Sequence, residues 1–209
     1  MRSAPLLVAL ALAAQASAAL AQPNLRSTFP GRRIGGGTRG ECAARVLAHL
    51  VPASSVFAPG AGGLIGLVEG PTANPRPIKL AFRQANAAGS SAAARELILQ
   101  RQLPANGAGV TLLSVALKGP TVWESTYACD EGPGDPSDPL AMVTAQTPPA
   151  VSLLLLDPTP ADTALQARLK SLRNLCGKAV GRDQLAAEFD LTGVVNADWP
   201  AQLPVRCPN

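Results

Sequence analysis

From residue 43 to about residue 156 the chain is cut by Gly, Pro, Asn and Asp into short apolar runs. The runs are Ala44–Val51, Leu64–Val68, Ile78–Gln84, Glu96–Arg101, Val110–Leu117, Val122–Cys129, Leu140–Ala145 and Val151–Leu156. Several alternate with period two, the spacing at which one face of a strand is buried and the other solvated. Ile78, Leu80 and Phe82 point one way while Lys79 and Arg83 point the other. Trp123, Ser125 and Tyr127 interleave with Val122, Glu124, Thr126 and Ala128, which places the aromatic face inward. Short strands at even spacing with turn signals between them predict a mainly β fold, an antiparallel β-sandwich. Ala43–Leu50 stays open, because Ala44, Leu47 and Ala48 also suit a short helix.

After Leu156 the period changes to 3.6. Thr159-Pro160-Ala161-Asp162 is a capping-box start, with Thr159 as cap, Pro160 at the first helical position and Asp162 at the positive helix end. Leu165, Leu169, Leu172 and Cys176 then line one face, and Gly177 supplies the stop. A second, shorter helix is expected from Arg182 to Asp190. The tail from Trp199 to Asn209 carries three prolines and no clear period. This small C-terminal α-helical region cannot bury its own apolar faces and should pack on the sheet, anchored by Trp199.

The first 21 residues read as an export signal. Arg2 gives the positive start, Leu6 to Ala14 is an unbroken apolar run, and Ala19-Leu20-Ala21 is a small-x-small cleavage site. The run is too short to span a bilayer, which takes about 20 residues, so no membrane span is expected after cleavage. The expected organisation is a signal at 1–21, a Gly/Arg-rich arm at 22–41, a sandwich at 42–156 and a helical region at 157–209. Removing the signal takes Arg2 with it, so the formal charge of +4 becomes +3. So small an excess gives no case for nucleic-acid binding. The destination is periplasmic or secreted.

Export makes the four cysteines, Cys42, Cys129, Cys176 and Cys207, candidates for two disulfides. Three pairings are possible. The expected one is Cys42 with Cys129 and Cys176 with Cys207, because each pair lies within one compositional region. A zinc site is poorly supported, since no two cysteines stand in C-x-x-C spacing and the single His49 is remote in sequence.

The most distinctive string is Gly31-Arg32-Arg33-Ile34-Gly35-Gly36-Gly37-Thr38-Arg39-Gly40-Glu41-Cys42. Successive glycines can turn N–H groups inward into an anion-binding concavity, and Arg32, Arg33 and Arg39 would add forked donors. Gly35, Gly36, Gly37 and Thr38 complete that candidate site for an anion, an acidic polymer or an envelope protein. The plainer reading is a flexible basic arm. No Gly-Lys-Ser/Thr follows at Walker spacing, so the string is not a nucleotide loop; no cofactor is expected.

The string resembles the opening motif of the domain-of-unknown-function 928 family, a Gly-Arg-Arg-x-Gly-Gly-Gly-Thr-Arg-Gly pattern. Leu50-Val51-Pro52 is similar to that family's Leu-Val-Pro. Glu96-Leu97-Ile98-Leu99 resembles its Glu-Phe-x-Leu strand, and Trp123 through Cys129-Asp130 its Trp-Tyr-Phe-x-x-x-Cys-Asp strand. The resemblance covers about Gly31 to Asp138. At Asn74 to Phe82 this chain keeps one aromatic where the family has several. The resemblance implies an exported, β-rich domain, common in cyanobacteria, and no activity.

Catalytic sets are incomplete. There is no Gly-x-Ser-x-Gly elbow, and any Ser-His or Cys-His scheme must use His49, which sits in an apolar context. Glu69, Glu96, Glu124 and Glu131 could meet in space as acid and base. The loop from Asp130 to Asp138 holds four carboxylates, but not at calcium-loop spacing. With aromatics at 3% of the chain, little remains for a sugar-stacking surface. The expectation is a non-enzymatic exported binding or interaction module, with a secreted hydrolase using acidic residues as the alternative. If the cysteines are all paired, alkylation in denaturant without reductant should label none of them, as read by intact mass.

Overall fold

The strand pattern becomes two facing sheets in the computed structural model, which describes residues 25–36, 46–60, 62–85, 96–128 and 148–208. The signal, Cys42, Cys129 and the carboxylate-rich loop lie outside these residues. A short helix α1 (Leu25–Thr28) leads into β1 (Ile34–Gly35) and β2 (Leu47–His49). Then come β3 (Val56–Phe57), β4 (Leu64–Glu69), β5 (Ile78–Gln84), β6 (Leu97–Leu103), β7 (Gly109–Ser114), β8 (Thr121–Tyr127) and β9 (Ala150–Leu154). Helix α2 (Pro160–Arg173), β10 (Ala179–Gly181), α3 (Arg182–Glu188) and β11 (Gln202–Arg206) complete the order. One sheet runs β1-β2-β4-β7-β11-β10 and the other β3-β9-β8-β5-β6.

The protein is thus mainly β, a sandwich with a small helical region. Most ladders are antiparallel, as the pattern implied. Two are not: β3 pairs β9 and β11 pairs β7 in parallel. Both parallel pairs join strands far apart in sequence, the situation in which a long crossover is available.

Register decides what each strand buries. Leu47, His49, Leu67 and Thr111 share one face of the first sheet. Ile78, Leu80, Phe82, Trp123, Ser125 and Ser152 share the facing side of the second. These two faces make the inter-sheet core. On the other face of the first sheet, Gly66 approaches Leu169 of α2, so the helical region forms a third layer. The outer face of the second sheet carries a smaller cluster, Val56, Val122 and Leu153, covered by Leu25 and Phe29.

Helix α2 begins as its sequence dictates. The Thr159 hydroxyl accepts from the Asp162 N–H, and the Asp162 carboxylate accepts from the Thr159 N–H at 2.8 Å. Leu165, Leu169 and Leu172 are buried, but the helix ends at Arg173 with Asn174 as its C-cap, so Cys176 lies exposed beyond it and Gly177, with positive φ, falls in the turn that follows. The segment Ala43–Leu50, open on sequence, contributes the strand β2 from Leu47. The C-terminal stretch is a correction. Gln202–Arg206 is not an irregular tail on the sheet but a strand within it, hydrogen-bonded between β10 and β7. Leu203 and Val205 alternate with exposed Gln202 and Pro204, a period-two pattern. Cys176 and Cys207 form a disulfide that ties the end of this strand to the end of α2, with Cα atoms 5.7 Å apart.

Asp162 also reaches beyond its own helix. It is buried, accepts from the Ala58 N–H at 3.1 Å and pairs with Arg26 at 2.7 Å, so one carboxylate joins α2 to β3 and to α1. Asp162→Ala should therefore cost about 3 kcal/mol, more than the ~1 kcal/mol of losing a helix cap alone, because a buried donor is left unpaired. Urea unfolding checks this. A loss no larger than that of Thr159→Ala would show the wider role to be absent.

Candidate functional site

The glycine-arginine string is built into the fold over its described part. Arg32 forms an antiparallel bridge with Val151 of the second sheet, while Ile34 and Gly35 pair with β2 of the first. The string therefore stitches the two sheets along one edge. A Cβ at Gly35 would lie 2.4 Å from the Ala150 nitrogen, so only glycine lets the backbones pass this closely. The Gly36 N–H donates to the Pro148 carbonyl at 3.0 Å. It faces a protein acceptor, not an anion.

Arg33 calls for a correction as well. Its guanidinium is mostly buried and donates to the carbonyls of Val51 (2.8 Å), Phe189 (3.1 Å) and Asp190 (2.6 Å). One side chain thus clamps the turn after β2 to the C-terminal end of α3, and its donors are committed inside the molecule. The reason is electrostatic: carbonyls at a helix C-terminus are orphaned acceptors that favour a cation. Arg32 keeps an exposed side chain. Gly37, Thr38 and Arg39 lie outside the described residues. Of the expected site, then, Arg32, Arg33, Gly35 and Gly36 are brought together as a clasp, with only Arg32 directed outward.

His49 occupies the centre of the inter-sheet core. It is fully buried, and its ring stacks on Trp123 with centroids 3.4 Å apart and planes 8° from parallel. Nδ1 lies 2.8 Å from the Ser152 oxygen and Nε2 2.7 Å from the Ser125 oxygen. A neutral imidazole has one donor and one acceptor nitrogen, so one serine receives a proton and the other gives one. Burial drives the His49 pKa well below its ordinary value, which keeps the ring neutral. The Ser–His distance is right for a nucleophile and its base, yet both serines are fully buried. Buried together, the three side chains tie one sheet to the other. Sequence reading gave His49 an apolar setting but missed its serine partners, which lie on strands far away in the chain.

A second buried ionisable group went unremarked as a pair. Glu69 ends β4 on the same inward face, and Arg206 of β11 sits 3.5 Å from it. The Glu69 side chain is 1% exposed, and neither of its oxygens finds hydrogen-bond geometry among the described residues. Burial pushes its pKa up to about 7, against the opposing pull of the Arg206 charge and the Thr111 hydroxyl. Arg206 also donates to the Gly107 carbonyl at 3.0 Å, so it holds β11 to the turn before β7. Of the other carboxylates considered, Glu124 pairs with Arg83 at 3.3 Å, and Glu131 lies outside the described residues. Among the described residues, no group of three His, Cys, Asp or Glu could hold a metal ion. No described helix is long and apolar enough to cross a membrane.

The exposed surface has one unusual feature. β6 is an edge strand of the second sheet, and Leu97, Ile98 and Leu99 are 43%, 57% and 54% exposed. They are the large hydrophobics exposed among the described residues. The ladder to β5 shifts register here, pairing Phe82 with Leu99 but Arg83 with Leu97.

The two buried groups give opposite pH dependences. His49 binds a proton less readily folded than unfolded, so stability falls as pH drops below about 6.5. Glu69 holds its proton more tightly when folded, so stability falls as pH rises from about 4.5 to about 7. The slopes oppose where the windows overlap. Glu69→Gln removes only the second slope. Between about pH 5 and 6.5 its unfolding free energy should rise with pH more steeply than the wild type's, by up to about 1.4 kcal/mol per unit. Urea titrations at several pH values check this, and parallel profiles for the two proteins would refute it.

No family model, no curated protein and no solved structure matches this chain.

Proposed function

We propose that this protein is an exported, non-enzymatic interaction module of the bacterial periplasm or envelope, and that it takes an extended aliphatic segment of an envelope protein along the edge strand β6. One observation carries the reading: three consecutive large aliphatic residues are solvent-exposed on an edge strand. Natural edges are usually blunted by charge, proline or a cover, because an open row of N–H and C=O groups recruits other strands. An edge that keeps Leu97, Ile98 and Leu99 offers backbone hydrogen bonds together with apolar contact, the combination used in strand addition. Of the carboxylates behind the hydrolase alternative, Glu69 is sealed in the core and Glu124 is held by Arg83, so neither supports it. An acidic polymer remains the second reading, favoured by the exposed Arg32 on a backbone pinned between the sheets.

Site-specific photocrosslinking separates these readings. A photoreactive residue at position 98 should yield an adduct that mass spectrometry maps to an extended aliphatic segment. The same group at exposed Ser171 on α2 should not. Leu97→Lys with Leu99→Lys should abolish the adduct, and Arg32→Ala should leave it. Capture that depends on Arg32 instead would transfer the function to the acidic-polymer reading, and adducts from neither position would overturn the strand-addition proposal.

A further inference from the structure

An open cavity of about 330 Å³ lies at the C-terminal end of α2. Its wall includes both cysteines of the Cys176–Cys207 disulfide, the Arg173 and Arg101 side chains, and apolar Leu64 and Leu112. Cys176 is exposed and Cys207 half-buried, so the disulfide faces solvent through the cavity. Arg173 precedes Cys176 by one turn, with the Cys176 N–H donating to the Arg173 carbonyl at 3.1 Å. Arg173 is exposed and makes no ion pair among the described residues.

We propose that this cavity is a docking and modification site for a small anionic thiol, which exchanges with the Cys176–Cys207 disulfide. Two observations converge on that class of ligand. The cavity wall carries Arg173, and a guanidinium holds carboxylates well. It also contains an exposed disulfide, whose chemistry is attack by a thiolate. The apolar wall accommodates the hydrocarbon part of such a ligand, and the volume suits a small molecule.

The exchange balances without a further reagent. The incoming thiolate forms a bond to the more exposed sulfur, Cys176 Sγ, as the Cys176–Cys207 bond breaks. The attacking sulfur is oxidised to the disulfide level, and Cys207 leaves as a thiolate inside the cavity. The Arg173 charge lowers the energy of both the approaching and the departing anion. The strand β11 would remain in place, because Leu203 and Val205 are buried and its ladder to β7 is intact. What opens is the tie between the end of α2 and the end of β11.

The test compares glutathione, an anionic thiol, with cysteamine, a cationic one, on the folded full chain. Adduct formation is followed by intact mass, and the same chain unfolded in urea supplies each thiol's intrinsic rate. The glutathione-to-cysteamine ratio should be about fivefold or more higher on the folded protein, the preference shrinking at high salt. Arg173→Glu, a surface change at the end of α2, should remove the preference, and Arg173→Lys should keep most of it. A folded ratio equal to the unfolded one, a ratio indifferent to Arg173→Glu, or no adduct with either thiol would each overturn the proposal.

Discussion

His49 hydrogen-bonds across the core to two strands of the opposite sheet. Its two nitrogens reach Ser125 on β8 and Ser152 on β9, and its ring lies flat on Trp123. Because both nitrogens must be satisfied once water is excluded, the spacing and lateral offset of the sheets are set together. A loss of either serine would strand a buried polar atom, at a cost of about 1–3 kcal/mol. Apolar packing tolerates small sliding of one sheet on another, but a pair of hydrogen bonds under 3 Å does not. The three-residue strand β2 can be so short because its last residue is held in this way.

The rest of that edge follows. Beside His49, the string Arg32 to Gly36 runs between the sheets, bonded to Val151 and Pro148 on one side and β2 on the other. Arg33 extends the same tie to the helical layer by filling the orphaned carbonyls at the end of α3. One inward-facing position further along β4 the tie is weaker in kind. Glu69 and Arg206 are close enough to attract, yet burial outweighs the neighbouring cation and raises the carboxyl pKa. One buried polar group is satisfied and fixes geometry; the other finds no hydrogen bond among the described residues, and burial favours its protonated form.

Much of the architecture was legible because its signals are local. The aromatic face of β8 is inward, since period two placed Trp123 and Tyr127 together. The start of α2 is a capping box because Thr159, Pro160 and Asp162 each satisfy a rule within one turn. Strand β11 was hidden for a local reason too: Pro204 reads as a breaker, although its missing N–H is tolerable where Leu203 and Val205 carry the packing. The parallel pairing of β11 with β7 leaves no mark at short range at all.

The candidate site shows the boundary most sharply. Sequence alone determined that the chain is mainly β with a small helical end, that His49 is the single imidazole, and that Arg33 stands in a glycine-rich string. Those properties depend on residue type and spacing over a few positions. Only the tertiary structure decided that Arg33 spends its donors on Val51, Phe189 and Asp190, that His49 meets two serines, and that Glu69 faces Arg206. Each of these partnerships joins residues on different strands or layers, where strand order and register, not sequence distance, determine which groups share a space that water cannot enter.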